Sequence, residues 1–366
     1  MTTRQKNAIV LVLAVLGTVA ALYFMEKDRN ASAPTGARVL AAIPADTFLL
    51  ATVDVAPLRH SPLVEPLRAL GSKGMGKDLQ SQCGFDPIER LDTLAVALPE
   101  AEGAGDFGIA SAGPITEEEL LTCARTVMEA RGAHLGTHKA GAFVLAEDTG
   151  ILGGVYGKLA VRDSGPFLLA REPWLTAMMD AWTRKKPRVE TNTRHMDLRK
   201  SLETAGSAGG AGKPAVLVTA LLPVKLRDRL KREMGGEVPN ATMLGVLGVE
   251  AAGVAVTLSP SNVLDFAAEL RCETPQACAE VRDLITKKRD EWVADVRVRL
   301  IGLGGVLQGL TVEANGTRVS ARTRIAADDA RRLIERALDL SRAGSNVANA
   351  ATGTKAAPAQ KDAGAH

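Results

Sequence analysis

The sequence predicts an α+β fold: an N-terminal membrane helix followed by two tandem, internally duplicated α+β units with mainly antiparallel sheets. Three observations carry that reading. Residues 152–165 and 303–316 match without a gap at seven of fourteen positions: Leu152/Leu303, Gly153/Gly304, Gly154/Gly305, Val155/Val306, Leu159/Leu310, Val161/Val312 and Gly165/Gly316. Each copy reads as an alternating strand entering a tight turn, and Asn315-Gly316 is a strong hairpin signal. Strand-like and helix-like stretches then recur in the same order on either side of residue 200, with Thr52 answering to Thr219. Finally, 366 residues suffice for two ordinary domains, and with aromatics at only 3% the cores must be built from Val, Leu, Ala and Ile.

In chain order, residues 1–6 form a cytoplasmic tail, and 7–25 are uncharged. Nineteen residues at about 1.5 Å each nearly match the bilayer hydrocarbon core. Ala31-Ser32-Ala33 has the form of a signal-peptidase site, but it follows the charged run 26–29 and precedes Pro34, so an uncleaved anchor is the expectation. The short tail and the large following domain place the bulk of the chain outside the cytoplasm. A linker, 26–39, leads to the first unit, 40–182.

That unit opens with Ile43-Pro44-Ala45-Asp46-Thr47 and the apolar strand Phe48–Val55. Ser61-Pro62 has the form of a helix start. Strands follow at 91–98 and 107–111, and Thr116-Glu117-Glu118-Glu119 is a capping box for a helix ending at Gly132. Strands at 142–146, 152–161 and 167–170 and a helix from Pro173 to Trp182 complete the unit. Residues 183–212 read as an inter-domain linker, basic at first, with a helix possible from Met196. The second unit, 213–342, has strands at 215–222, 253–258, 264–270, 303–312 and 318–325. Its helices are expected at 226–234, after the Thr274-Pro275 cap, and from Asp328 to Ser341. Residues 343–366 lack periodicity and are expected to be disordered.

Ile43-Pro44-Ala45-Asp46-Thr47, Val53-Asp54 and Ser61-Pro62 together resemble the opening of exported bacterial proteins grouped as domains of unknown function. The resemblance implies a membrane-tethered or secreted α+β protein and transfers no activity.

No motif supplies catalytic chemistry. Gly153-Gly154-Val155-Tyr156-Gly157-Lys158 is one residue short of a phosphate loop, Leu159 stands where a hydroxyl residue should hold magnesium, and the glycines precede a strand rather than a helix. The run Gly302 to Gly305 fails for the same reason, and serine-hydrolase signatures are missing. His134 and His138 are four apart but interrupted by Gly136, so they read as solvated rather than metal-ligating. His60 and His195 read as surface or cap residues. Glu117, Glu118 and Glu119 suit a first helical turn through the dipole alone, and Lys185, Lys186 and Arg188 read as a solvated linker.

The expectation is a non-enzymatic binding or envelope-assembly scaffold with no cofactor, metal or nucleic-acid partner; an envelope protein and the membrane are the expected partners. The rival is an exported enzyme whose site lies in the cleft between the repeats. Residues 34–182 hold 12 Lys/Arg against 19 Asp/Glu, and 183–342 hold 27 against 20. The two units are therefore expected to dock through opposite charge. Four cysteines outside the cytoplasm point to disulfides. Cys272 with Cys278 is sterically allowed across a chain reversal, which leaves Cys83 with Cys123; the alternative is four buried thiols.

Overall fold

The computed structural model describes residues 39–59, 61–63, 81–85, 89–100, 107–130, 132–150, 157–163, 165–207, 212–234 and 245–336. The uncharged run 7–25, the expected helix start after Ser61-Pro62 and the tail 343–366 lie outside the described residues or run into undescribed ones. Among those described, no helix is long and apolar enough to cross a membrane.

The fold mixes helices with a single antiparallel sheet. Its strands are β1 (Thr47–Asp54), β2 (Thr93–Pro99), β3 (Gly108–Ala112), β4 (Leu135–Ala140), β5 (Phe143–Asp148), β6 (Lys158–Val161), β7 (Phe167–Ala170), β8 (Val216–Leu221), β9 (Val249–Leu258), β10 (Val263–Cys272), β11 (Thr311–Asn315) and β12 (Arg318–Ala326). They lie in the order β11-β12-β10-β9-β8-β1-β2-β3-β7-β6-β5-β4. The middle of the sheet is the antiparallel β1–β8 pair, with Leu50 opposite Thr219, Ala51 opposite Val218 and Thr52 opposite Leu217. Outward from that seam the order is β1-β2-β3-β7-β6 on one side and β8-β9-β10-β12-β11 on the other, with β5 and β4 extending the first side.

Strand alternation gives the sheet two faces. On the front lie α2 (Trp174–Trp182) and α3 (Thr193–Ser207). Under α2 the sheet is a carpet of small residues: Ala95, Ala97, Ala110, Ala160 and Ala170 leave room for Trp174, Leu175 and Met178, all buried. Gly108 completes it, since a Cβ there would stand 2.5 Å from Met178 Sδ and 2.6 Å from Trp174 Nε1. Under α3 the partners of Leu198 and Leu202 are Leu217, Leu221, Ala251, Ala255 and Ala267.

The back carries α1 (Glu117–Glu129), whose Leu120 and Leu121 meet Val161 and Phe167, and α5 (Pro275–Ala294), whose Val281 meets Val249 and Val319. Thr116 caps α1 in a complete capping box with Glu119, and Thr274 caps α5 by accepting from the Ala277 N–H at 3.1 Å. Further back elements are α7 (Gly304–Gln308), following α4 (Val224–Met234) and α6 (Val296–Ile301) in the chain, and α8 (residues 327–336).

Three expectations need correction. The span 183–212 is no linker: it holds a 3-10 turn at Val189–Thr191 and α3, with Val189, His195, Leu198 and Leu202 buried. The stretch 303–312 is not one strand, because Leu303, Val306, Leu307 and Leu310 fall at helical spacing, 303–310 carries the helix α7, and Val306 packs against Leu264 and Ile325. The hairpin itself is present, with β11 turning through Gly316 (φ +57°) into β12. The corresponding residues 151–156 lie outside the described set, and β6 begins at Lys158. Lastly, the halves meet through the β1–β8 backbone ladder rather than through facing charges. A polar edge hairpin, β4 with β5, was not legible as two strands.

Cys83 is joined to Cys123 on α1, and Cys272 at the end of β10 to Cys278 in the first turn of α5. The first closes a sequence separation of 40 and the second one of 6. By loop-closure entropy these contribute about 4 and about 2 to 3 kcal/mol respectively. Equilibrium urea unfolding should therefore show the Cys83→Ala/Cys123→Ala variant losing more stability than Cys272→Ala/Cys278→Ala, and the reverse ranking would contradict this assignment of loop constraints.

Candidate functional site: an open charged groove beside a sealed seam

Two polar constellations stand on the front face. The first is sealed. Thr52 and Thr219 lie on neighbouring central strands and face α3, which reaches both from residues one turn apart. His195 is fully buried, with Nδ1 at 2.9 Å from Thr219 Oγ1 and Nε2 at 2.9 Å from the Thr47 carbonyl oxygen. A carbonyl only accepts, so Nε2 carries the hydrogen and Nδ1 accepts from the threonine hydroxyl. Arg199 donates to Thr52 Oγ1 at 2.7 Å, while its Nη1 is buried without a partner. Burial holds the Arg199 guanidinium down to about 10, against the pull of Glu203. The same desolvation pushes His195 below 6.5, with Arg199 and Arg194 adding to it and the Thr47 hydrogen bond opposing.

The cleft expected between the halves is therefore absent among the described residues: a β ladder fills it and α3 covers it.

Neutral His195 makes folding pH-dependent in a definite direction. Above about pH 6.5 neither state protonates this imidazole and its contribution is complete. As pH falls below that, the unfolded chain takes up the proton first, so stability falls until the depressed folded pKa is reached. His195→Gln retains one acceptor and one donor without titrating. Stability curves of the two proteins should converge as pH falls below about 6.5, with wild type losing up to about 1.4 kcal/mol per pH unit more than the variant; parallel curves would mean that His195 is not held neutral.

The second constellation is open. Register places Arg318, Ser320, Arg322 and Arg324 of β12 on the front face, opposite Arg271, Glu269, Ala267 and Asp265 of β10. Thr311, Glu313 and Asn315 of β11 stand opposite Arg322, Ser320 and Arg318. The flank of α3 forms one wall, contributing Asp197, Lys200, Ser201 and Thr204 to a cavity of about 780 Å³ above β10, β12 and β11. A smaller cavity of about 360 Å³ adjoins it at Arg322; a third, of about 480 Å³, is lined by Val306 of α7 and Leu333 of α8, on the back, and meets the second at Arg324.

Several charges here are engaged. Glu269, nearly buried, accepts from Ser201 at 2.5 Å and from Arg271 at 3.0 Å, with Arg318 further out at 3.4 Å. Arg324 pairs with Asp265. Among the described residues, Arg322, Lys200, Asp197 and Glu313 have no side-chain partner, and Arg318, whose side chain is 53% exposed, meets an already satisfied carboxylate.

The residues singled out by sequence mostly take structural places. Glu119 accepts from Arg90 at 2.6 Å as well as capping α1, and that hydrogen bond pulls its carboxyl down to about 2. His138, on β4, stands 3.7 Å from Glu147 on β5, which also pairs with Lys158 at 2.7 Å. His134 precedes β4, its N–H facing Asp148. Arg188 donates to the carbonyls of Ala181 and Trp182 at 2.8 and 2.6 Å, closing the end of α2, while Lys185 lies 4.0 Å from Asp180. The four cysteines are bonded. His60 and Gly153 to Tyr156 lie outside the described residues. His195 is the correction: it is a core residue, not a surface one.

No protein-family model and no curated protein matches the chain. Among solved structures, crystal form I of TP0453 is similar at a TM-score of 0.43 and 9% identity, over 83% of this chain and 98% of that one. A likeness this loose carries nothing about chemistry.

Proposed function

We propose that the chain is a non-enzymatic, membrane-anchored extracytoplasmic protein whose business is binding, and that the front groove over β10, β12 and β11 is its binding surface. The observation that carries this is a difference between two halves of the same strand order. On the first side, the front of β3 and β7 is apolar and lies under α2, and the one front charge of β6, Lys158, is paired with Glu147 at 2.7 Å. On the other, Glu269 of β10 is held under α3 by Ser201, while Ser320, Arg322 and Glu313 of β12 and β11 face a cavity that no helix covers among the described residues. Side chains there are chosen for water or for a partner, not for a covering helix of this chain.

The location rests on the uncharged run 7–25 and on the bonded cysteine pairs, which suit an oxidising compartment. The matched strand order supports a common origin of the halves. As a scaffold, the protein offers a rigid platform: the groove's floor is a continuous sheet and its wall a helix fixed by buried contacts.

Site-specific photocrosslinking in cells tests the reading. A benzophenone side chain at position 320 should give a discrete protein adduct on the extracytoplasmic side. The same group at Thr126, on the exposed flank of α1, should not. Equal adducts at both positions, or none at 320, would overturn it.

A further inference from the structure

We infer that the groove receives an α-helix of a partner polypeptide, laid against the sheet beside α3 and presenting carboxylates to Arg318, Arg322 and Lys200; this rests on the binding role just proposed. The first half shows what such a place takes. There the strip β3-β7-β6 is occupied by α2, a helix whose Trp174, Leu175, Ala177 and Met178 fill the space above small residues. In the topologically corresponding strip, α3 covers the inner edge along β10, and β12 with β11 carries no helix on its front among the described residues. The helix that follows β12, α8, goes instead to the back, where Ala330, Leu333 and Ile334 pack on Leu264 and Ile325. One helix-sized position of the fold is thus unfilled among the described residues.

The charges choose the kind of helix. A carboxylate docking here gains a bidentate partner in Arg322, which has none of its own, without breaking an existing pair. Arg318 is likewise available, because Glu269 is already met by Ser201 and Arg271. Lys200 adds a third cation from the wall. Asp197 and Glu313 set the other side of the account: they disfavour a purely anionic occupant such as a polyphosphate, which would face both without compensation, and they suit a polypeptide that carries mixed side chains around an acidic face. Ala267 and Leu202 beneath the charges are already buried under α3, which leaves half-buried Ala205 as the apolar margin an occupant could touch.

The experiment uses the full chain in detergent micelles and fluorescence anisotropy with three labelled alanine-based peptides of about 18 residues, a length that supports a helix in isolation. One carries glutamates along one face, one carries lysines there instead, and one repeats the glutamate peptide with a central proline that breaks the helix. The glutamate helix should bind, weaken as salt is raised, and exceed each of the other two by about tenfold or more. Against the R318E/R322E variant its affinity should fall by about tenfold or more. Ser320→Trp, which fills the groove without changing charge, should block it too, and thermal melts of both variants should match wild type. Equal binding of the lysine or the proline peptide, displacement of the glutamate helix by pyrophosphate at equal charge, or undiminished binding to a folded variant would each overturn the inference. If position 320 crosslinks a partner in cells while the glutamate helix fails in vitro, the occupant is wrong and the binding role stands.

Discussion

Everything in this molecule depends on the pairing of β1 with β8. α3 covers their ladder on the front, and each half hangs from one side of it. Pairing of two apolar strands has little to fix its register beyond face alternation. Here the register has a polar reader: α3 presents His195 to Thr219 and Arg199 to Thr52, and a slip of one strand by one residue would turn its threonine to the back and strand the buried side chain that meets it. Leaving either hydroxyl, the Thr47 carbonyl or the imidazole unpaired costs about 1 to 3 kcal/mol, which is large beside the stability of any domain. The orphaned Nη1 of Arg199 shows that the arrangement carries some cost of its own.

The seam also positions the groove. α3 cannot shift along the sheet without breaking its contacts to β1 and β8, and its other flank is the wall from which Lys200 and Asp197 project. Gly253 brings that helix close: a Cβ there would stand 2.6 Å from Leu202 Cδ1 and 3.2 Å from Leu198 Cδ2. Ser201 extends the same logic outward, since its bond to Glu269 ties the helix to β10 at the inner margin of the cavity. A buried cluster therefore sets the geometry of an exposed surface, and substitutions at the seam should be felt in the groove before they touch any residue lining it.

What the sequence made legible follows from how local each signal is. The capping residues Thr116 and Thr274 act within one turn, and both helices start where they predict. Cys272 and Cys278 are separated by a single chain reversal, and the second bridge followed by exclusion. α3 was legible as a possible helix from Met196 but not as a core element, because its apolar positions are sparse and two of its buried residues, His195 and Arg199, are polar; burial of that kind is justified only by partners 24 and 147 residues away. The edge strand β4, with Thr137, His138 and Lys139 exposed, has the composition of a loop because an edge needs charge to discourage further pairing. The strand 318–325 was expected, but its polar front face, Arg318, Ser320, Arg322 and Arg324, was not singled out. That nothing in the described chain covers that face was not visible, since it depends on where α8 goes.

The direction of that last helix is decided by its own side chains. α2, reading Trp-Leu-Thr-Ala-Met-Met-Asp-Ala-Trp, is apolar around most of its circumference, so it is stable only where sheet and neighbouring segments enclose it. α8 carries Ala330, Leu333 and Ile334 on one stripe, with Asp328, Asp329, Arg331, Arg332 and Glu335 elsewhere. Such a helix can be covered on one side only, and the back offers a one-sided seat on Leu264 and Ile325 with its charges paired among themselves in water. On the front it would have to set Arg331 or Arg332 against the arginines of β12. Repulsion there and a fitting stripe on the back act together, and the cationic row of β12 is left facing an empty place. Part of the excess of Lys and Arg in the second half thus stands away from the seam, along a strip of sheet whose front no helix covers among the described residues.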